Sequence, residues 1–519
     1  MAAGRDRLLL SFDGFTLTPD AAEAIARRAA GVTLYRHFNV DTPAQVRALT
    51  DALQGAASRL GLPPLLIAAD HETGQLHAMG EGATAFAGAM ALGATGDVVL
   101  AERVGRAIGT ELRAMGVNLV YAPDCDLAMN PRNPVVGIRS FGDDPVAVAA
   151  MAAATVNGIQ AAGVAATIKH LPGHGEPGGD SHHGLPVVGA SADVLRDREL
   201  VPFRAAISAG ARVAMAGHLA VPALTGRRDL PATLAREIVT DLLRGELGFA
   251  GIAVSDALDM GGVLGDDGAP DVAGALGAGI DLLLCGPDPG AQTRVESGLD
   301  RAIPGLDPAS SAEAMRRLEA LRSWLDGFEQ PPIEVVGSDE HRALASELAT
   351  RSITLIRDRD GLVPLRLAPD ARILVIEPRP RDLTPADTTS SLAAGGLASA
   401  MGARHAAMDG VVIGAEVADA EIAAIRDRAA ASDLVVLGTV DALGQPTVAA
   451  LARAAVSSGT PVVGVALRGP WDADAYPEVG TVLATYGIQA PSLDAVAAAL
   501  LGVTAITGRL PVRLAHSSA

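Results

Sequence analysis

A chain of 519 residues is too long for one ordinary hydrophobic core, so two domains are the first expectation. Hydrophobic residues make up 49% and charged residues 19%, the balance of a globular protein with large buried cores, while aromatics at 3% leave few surfaces for stacking ligands. The net charge of −19 lacks the basic footprint that nucleic acid or an anionic membrane requires, and neither is expected as a partner.

At the N-terminus Arg5, Asp6 and Arg7 precede a five-residue apolar run that Asp13 follows. That run is too short for the core of a secretory leader, and no later stretch reaches membrane-spanning length. Cys125 and Cys285 are the only cysteines and lie far apart, which predicts a reducing, cytoplasmic setting without a structural disulfide. From here to residue 326 short β-rich runs alternate with longer Ala-rich amphipathic stretches. The strand candidates are 8–12, 32–35, 65–69, 119–122, 165–168, 213–216, 252–255 and 280–285. Thr18-Pro19-Asp20 supplies a cap, a first-turn proline and an acid ahead of a helical pattern over 21–30. Eight such units over residues 1–326 predict a TIM-like (β/α)8 barrel, with a doubly wound open sheet as the structural alternative.

The pattern breaks over 327–337, where Gln330-Pro331-Pro332 reads as a linker. Over 338–519 the alternation resumes with other spacing: strands at 353–356, 373–376, 434–437, 462–467 and 482–484, helices near 419–431, 447–458 and 492–501. This predicts a smaller C-terminal α/β sandwich domain. No Gly-rich dinucleotide fingerprint, phosphate-binding loop or His-Glu-x-x-His motif occurs, so no cofactor and no metal is expected.

The polar residues sort by position. Asp70, Asp124, Lys169 with His170, His218 and Asp256 stand at or just past the ends of strand candidates. In a parallel barrel those ends share one face, so residues far apart in sequence converge on one pocket. The run at 165–168 leads into Lys169-His170-Leu171-Pro172-Gly173-His174-Gly175 and then Asp180-Ser181-His182, a segment too rich in Gly and Pro to be helical. A carboxylate two residues from an imidazole can orient it and raise its pKa toward working pH, so Asp180 and His182 form a candidate acid/base pair. Asp256, held past a buried strand with small neighbours, is a candidate nucleophile; together they supply what double displacement at a sugar carbon requires. A metal-dependent barrel hydrolase using His170, His174, His182 and Asp256 is the rival reading. It lacks a His-x-His pair after the first strand, where Asp13-Gly14 stands. His174 is expected to brace its loop, His183 to be structural or exposed, and His218 to line the pocket or cap a strand end. Asp124 and Asp259 read as loop hydrogen-bond acceptors, and Cys285 as a small buried residue.

These motifs resemble glycoside hydrolase family 3, in its two-domain β-N-acetylglucosaminidase branch, over nearly the whole chain. The branch carries Lys-His-Phe-Pro-Gly-His-Gly followed by Asp-Ser-His, matched here with Leu171 in place of the phenylalanine. The resemblance implies that His182 is the acid/base with Asp180 as its partner. It also implies that Asp256, in a Ser-Asp-x-Leu-x-Met context, is the nucleophile, and that Asp70, Arg139, Lys169 and His170 bind the sugar. Segments 139–145, 485–487 and 507–512 share the likeness. One corner departs from the family. Its Asp-x-Glu-Gly-Gly-Arg-Val-x-Arg reads here Asp70-His71-Glu72-Thr73-Gly74-Gln75-Leu76-His77-Ala78, so both arginines are replaced, and His77 is offered as a substitute donor. What the resemblance implies is a retaining, exo-acting enzyme releasing terminal β-linked N-acetylglucosamine from small amino-sugar glycosides, chitin-derived or from cell-wall recycling. A phosphorylase or β-glucosidase activity on the same site is the alternative. The tryptophans, Trp324 and Trp471, lie away from every motif, which agrees with small substrates. No sequence feature sets an oligomeric state.

Overall fold

The computed structural model describes residues 5–265, 268–383, 387–390 and 396–515. Eight apolar runs become strands β1 (Leu8–Leu10), β2 (Gly31–Leu34), β3 (Leu66–Ala69), β4 (Leu119–Val120), β5 (Ala165–Leu171), β6 (Val213–Ala216), β7 (Ile252–Ser255) and β8 (Leu283–Leu284). All pair in parallel, each beside the next in sequence, and β8 returns to β1 through Leu9 opposite Leu284. The seam between β7 and β8 is held by the pairing of Val254 with Leu282 and by the Ser255 N–H donating to the Leu282 carbonyl at 3.0 Å. The sheet is therefore a barrel, not the open doubly wound alternative. Its strands are buried on both faces, which is why they read as unbroken apolar runs and not as alternation.

Five strand lengths differ from the sequence pattern: β1, β3 and β8 are shorter than the runs 8–12, 65–69 and 280–285, β4 is shorter than 119–122, and β5 is longer than 165–168. β4 ends at Val120; the Tyr121 N–H still donates to the Ala69 carbonyl at 3.0 Å, but Pro123 has no N–H to continue a ladder. β5 runs past residue 168 through Lys169 and His170, since the Cys125 N–H donates to the Lys169 carbonyl at 2.7 Å and Leu171 pairs with Ala216. The first helix, Pro19–Ala26, is capped by Thr18 as read. It ends at Ala26 and not at residue 30, because Arg28 takes a left-handed conformation with φ of 69°. Helices Val98–Ala114 and Pro145–Ala161 lie against each other through glycine. A Cβ on Gly158 would fall 2.2 Å from the Glu102 carbonyl oxygen, and one on Gly105 would fall 2.8 Å from that of Thr155.

The second sheet contains β9 (Thr354–Asp358), β10 (Ile373–Pro378), β11 (Met408–Ile413), β12 (Leu434–Thr439), β13 (Val462–Ala466) and β14 (Thr481–Ala484), in the order β9-β14-β13-β12-β10-β11. Only β9 runs antiparallel, against β14. β11 escapes the sequence reading because it is an edge strand: Asp409 and Gly410 are exposed and only Ile413 is buried. Side chains alternate across the sheet. Ile373, Val375, Leu434 and Val436 pack into one core, while Leu374, Ile376, Val435 and Leu437 join the cluster that continues into the barrel. Glu111 ties the two parts from the barrel side, accepting from the Gly337 N–H at 3.0 Å and from His341 Nδ1 at 2.7 Å. The tail crosses back over the barrel, where the Asp143 N–H donates to the Pro511 carbonyl at 3.0 Å and the Arg509 N–H to that of Ala94 at 2.9 Å. Among the described residues no helix is long and apolar enough to cross a membrane.

Candidate active site

A cavity of about 440 Å³ opens at the C-terminal ends of the barrel strands. Asp70, Arg139, Lys169, His170, His182 and Asp256 all line it. Asp180 stands behind His182 and completes the set read from sequence.

The floor is built from paired charges. Lys169, at the end of β5, is fully enclosed and lies 2.7 Å from Asp70 Oδ1 and 2.6 Å from Glu72 Oε1. Arg139 forks onto the same Glu72, with Nε donating to Oε2 at 2.9 Å and Nη2 to Oε1 at 2.7 Å. Burial pushes the Glu72 carboxyl up, but Arg139 and Lys169 outweigh it and hold the group at about 2. Lys169 is likewise held above its ordinary value, burial notwithstanding, by Asp70 and Glu72. The result is a floor with both signs of charge fixed in place, leaving donors and acceptors for hydroxyl groups.

Behind it Asp126 organises the histidines. Its Oδ2 accepts from His170 Nδ1 at 2.7 Å, and its Oδ1 accepts the His174 N–H at 2.7 Å. Burial pushes Asp126 up to about 7 and His170 down to about 4, so His170 is a neutral ring at pH 7 with Nε2 turned toward Arg139 Nη2 at 3.4 Å. His174 is buried, held down at about 3 chiefly by burial, and its Nε2 meets Ser181 Oγ at 3.1 Å. It braces the loop, as its glycine-flanked position suggested.

Over this floor Asp256 and the His182 loop face one another. Burial alone would raise the Asp256 carboxyl, yet His218, His170, the Ala257 N–H at 2.8 Å and His182 hold it below the ordinary carboxylate value. His182 shows the opposite displacement: burial lowers it, but the Asp180 hydrogen bond and the charges of Asp180 and Asp256 raise it on balance. Its Nδ1 lies 2.6 Å from Asp180 Oδ1, which leaves Nε2 for a substrate. The loop is clamped onto the one carrying Asp256, because the Gly261 N–H donates to the His182 carbonyl at 3.1 Å and the Gly262 N–H to that of Ser181 at 3.0 Å.

Other candidates fall elsewhere. His218 is off the wall, its Nε2 donating to the Ala257 carbonyl at 3.0 Å, and so steadies the Asp256 loop. His183 sits exposed on the rim. Asp124 accepts the Asp126 N–H at 2.8 Å as a loop acceptor, whereas Asp259 reaches the wall. His77 does not replace the missing arginines. Its ring turns to the Gly80 carbonyl at 3.1 Å, while Ala78 and Arg36 line the wall. The metal reading meets a different donor set. Among the described residues, the group of three ligands close enough to share an ion is Asp124, Asp126 and His170, not the set of His170, His174, His182 and Asp256. Asp126 is engaged by His170 and Asp124 Oδ1 by the Asp126 N–H, while Asp124 Oδ2 has Arg139 3.8 Å away, a poor neighbour for a cation.

Sequence reasoning missed Glu72, Asp126 and Arg36. The first two had a signal, since each stands two residues from a noted carboxylate (Asp70, Asp124), a spacing that returns to the same face in extended chain. Two buried cations, Lys169 and Arg139, also demand more than one carboxylate. Arg36 had none beyond following β2.

Residues 11–314 match the glycosyl hydrolase family 3 N terminal domain. The chain is 30% identical to a β-hexosaminidase A of Pseudoalteromonas piscicida over 96% of its own length and 92% of that protein's. It is 31% identical to a β-N-acetylglucosaminidase/β-glucosidase of Cellulomonas fimi over 91% and 86% respectively. The solved structure of a glycoside hydrolase family 3 β-N-acetylglucosaminidase from Paenibacillus sp. str. FPU-7 superposes with a TM-score of 0.90 at 32% identity, covering 99% of this chain and 98% of that one. With a barrel, a charged sugar-sized cavity at its mouth and relatives aligned end to end, the chain belongs to glycoside hydrolase family 3 and is a glycoside hydrolase.

Proposed function

We propose that the enzyme removes a terminal β-linked N-acetylglucosamine from a small glycoside, with retention, by double displacement. The observation that carries this reading is the pairing on one cavity of a carboxylate held below its ordinary value, Asp256, with an imidazole held above its own by Asp180, His182. Opposed pKa displacements of two facing groups separate a nucleophile from an acid. Asp256 attacks the anomeric carbon while His182 Nε2–H protonates the departing oxygen. His182, now neutral, then takes a proton from water as that water opens the glycosyl-enzyme and frees Asp256. Asp180 is the positioning partner that keeps the ring oriented and favours its charged form. Asp70, Arg139, Lys169 and His170 hold the sugar, with Glu72 fixing the two cations. Residues 1–326 carry the catalysis and 338–519 form the second domain. The sugar assignment draws on the hexosaminidase relatives, and two buried, unpaired cysteines agree with a reducing, cytoplasmic setting.

The test is incubation with a slow 2-fluoro glycosyl donor and mass mapping of the protein. A covalent sugar on Asp256 is the expected result; an adduct elsewhere, or inversion at the anomeric carbon of the product, overturns the scheme. A charged imidazole does not repel an anion as a carboxylate acid/base would, so products are identified with and without phosphate. Free sugar under both conditions supports hydrolysis, and sugar phosphate marks a phosphorylase.

A further inference from the structure

Two residues on the cavity wall take no part in the chemistry above: Arg36, just past β2, and Thr388, which the second domain extends over the barrel mouth. They hold the backbone of the same residue, His77, one at its carbonyl and the other at its N–H. Arg36 Nη1 donates to the His77 carbonyl at 3.3 Å, and the His77 N–H donates to Thr388 Oγ1 at 2.9 Å. The Thr388 N–H in turn donates to the Gln75 carbonyl at 3.2 Å. Beside them Ala78 lines the wall with nothing larger than a methyl group. Behind Thr388 a buried ion pair of Arg468 with Asp387, and the bond from Arg468 Nη2 to Thr389 Oγ1 at 2.9 Å, hold the segment in place.

The charge state of this corner differs from that of the floor. Lys169 and Arg139 are in direct contact with Asp70 and Glu72. Arg36 faces Glu81 and Asp382 without touching either, and among the described residues its only bond is to the His77 carbonyl. Four of its five N–H groups are therefore left to donate. The Thr388 hydroxyl accepts from His77, so its own proton is free to point into the cavity. Arg36 follows β2, whereas Asp256 follows β7, three strands round the barrel. The corner stands next to β3, the strand that presents Asp70.

We propose that Arg36 and Thr388 form a specificity corner that grips a hydroxyl-bearing edge of the terminal sugar remote from its anomeric carbon, so that the second domain completes the sugar subsite. The proposal rests on the reading that a terminal sugar fills this cavity. A guanidinium fork beside a hydroxyl donor matches the oxygens of a sugar edge, and the small Ala78 side chain leaves the space for them.

The test compares 4-nitrophenyl N-acetyl-β-glucosaminide with its 4-deoxy and 6-deoxy analogues, on wild type, Arg36→Ala and Thr388→Val. A charge-assisted hydrogen bond predicts that the wild type loses about 10- to 100-fold in kcat/KM on one deoxy analogue. Arg36→Ala loses a similar factor on the parent glycoside, mainly through KM, and no longer distinguishes the two. Thr388→Val moves the same ratio in the same direction. Ala78→Arg placed in the Arg36→Ala background restores part of the loss. The proposal is overturned if the wild type treats all three substrates alike, if both variants keep the wild-type ratio, or if Arg36→Ala matters only when the aglycone is lengthened. Should Arg36→Ala not fold, Arg36→Lys keeps the charge and packing but not the fork, and its ratio decides. Turnover of the parent compound by the wild type tests the amino-sugar reading separately; if only the glucoside turns over, the same ratios on the deoxy-glucosides decide the corner.

Discussion

One oxygen of Asp180 grips His182 twice: Oδ1 accepts the ring Nδ1–H at 2.6 Å and the backbone N–H of the same residue at 2.8 Å. The second bond fixes the carboxylate relative to the chain, so the first fixes the ring as well as its charge. Asp180→Asn keeps the shape and removes the charge that raises His182. The alkaline limb of kcat/KM is therefore expected to move to lower pH, with a loss of at least about 10-fold at pH 8. Each group also links pH to stability. His182 is raised in the fold, so its contribution is complete below 6.5 and is lost as pH climbs through the folded value. Asp180 is lowered, so its contribution is present above 3.8 and is lost as pH falls through the folded value. The pair supports the loop best between those two ordinary values. A pH–rate profile of the asparagine variant that superposes on the wild type would sink the dyad.

Glu72 is the carboxylate that Arg139 hydrogen-bonds, with Asp124 farther off at 3.8 Å, and one of two that contact Lys169. Glu72→Gln leaves a buried guanidinium without its hydrogen-bonded counter-ion, for which a loss of about 3–5 kcal/mol is expected. Urea unfolding at pH 7 measures it; a change under about 1 kcal/mol would show that the floor is not held by these pairs. Because Glu72 is depressed to about 2 in the fold, its contribution exists above the ordinary 4.5 and disappears as pH falls toward 2. The variant and the wild type are therefore expected to converge in stability at the acid end.

Gly262 is a hinge pin between the two catalytic loops. A Cβ there would come 2.9 Å from the Gly184 carbonyl oxygen and 3.0 Å from that of Ser181, so Gly262→Ala must push the His182 loop off the Asp256 loop. The expected result is a kcat reduced by about 10-fold or more, since proton transfer needs heavy atoms within about 3 Å, while Tm moves by only a few degrees. A variant with unchanged kcat would mean that the clamp does not set the distance between acid and nucleophile.

The packed helices offer a test of the fold that leaves the site alone. At Gly158 the nearest atom to an added Cβ is a helix backbone oxygen, 2.2 Å away, with the Arg106 backbone nitrogen at 2.7 Å. Neither neighbour is a movable side-chain tip. Gly158→Ala is expected to cost about 1–3 kcal/mol as an overpacking strain, outweighing the helix propensity that alanine adds. A variant as stable as the wild type in a thermal melt would contradict the close helix approach.

Much of this molecule was legible before the fold. The eight barrel runs read correctly because a strand buried on both faces leaves no choice but apolar residues. Asp70, Lys169, His170 and Asp256 stood out because polar residues that end such runs break the pattern sharply. The edge strand Met408–Ile413 did not stand out, since half of it faces solvent and no burial disciplines its sequence. Arg36 was equally silent: one arginine among the chain's many carries no mark of the wall it faces.

Sequence alone determined the strand-loop-helix order, the presence of a carboxylate and a carboxylate–imidazole pair past the right strands, and the loss of two arginines after Asp70. These follow from local chemistry, where a residue's type and its spacing to neighbours suffice. Only the tertiary structure decided that Glu72 joins Arg139 to Lys169, 67 residues and 97 residues away. It alone brought Thr388, from a loop of the second domain, to His77, and made Arg36 the cation standing beside Ala78. Those contacts exist because barrel closure gathers strand ends from the whole chain onto one face, and a distance across that face leaves no trace in the spacing of residues along the chain.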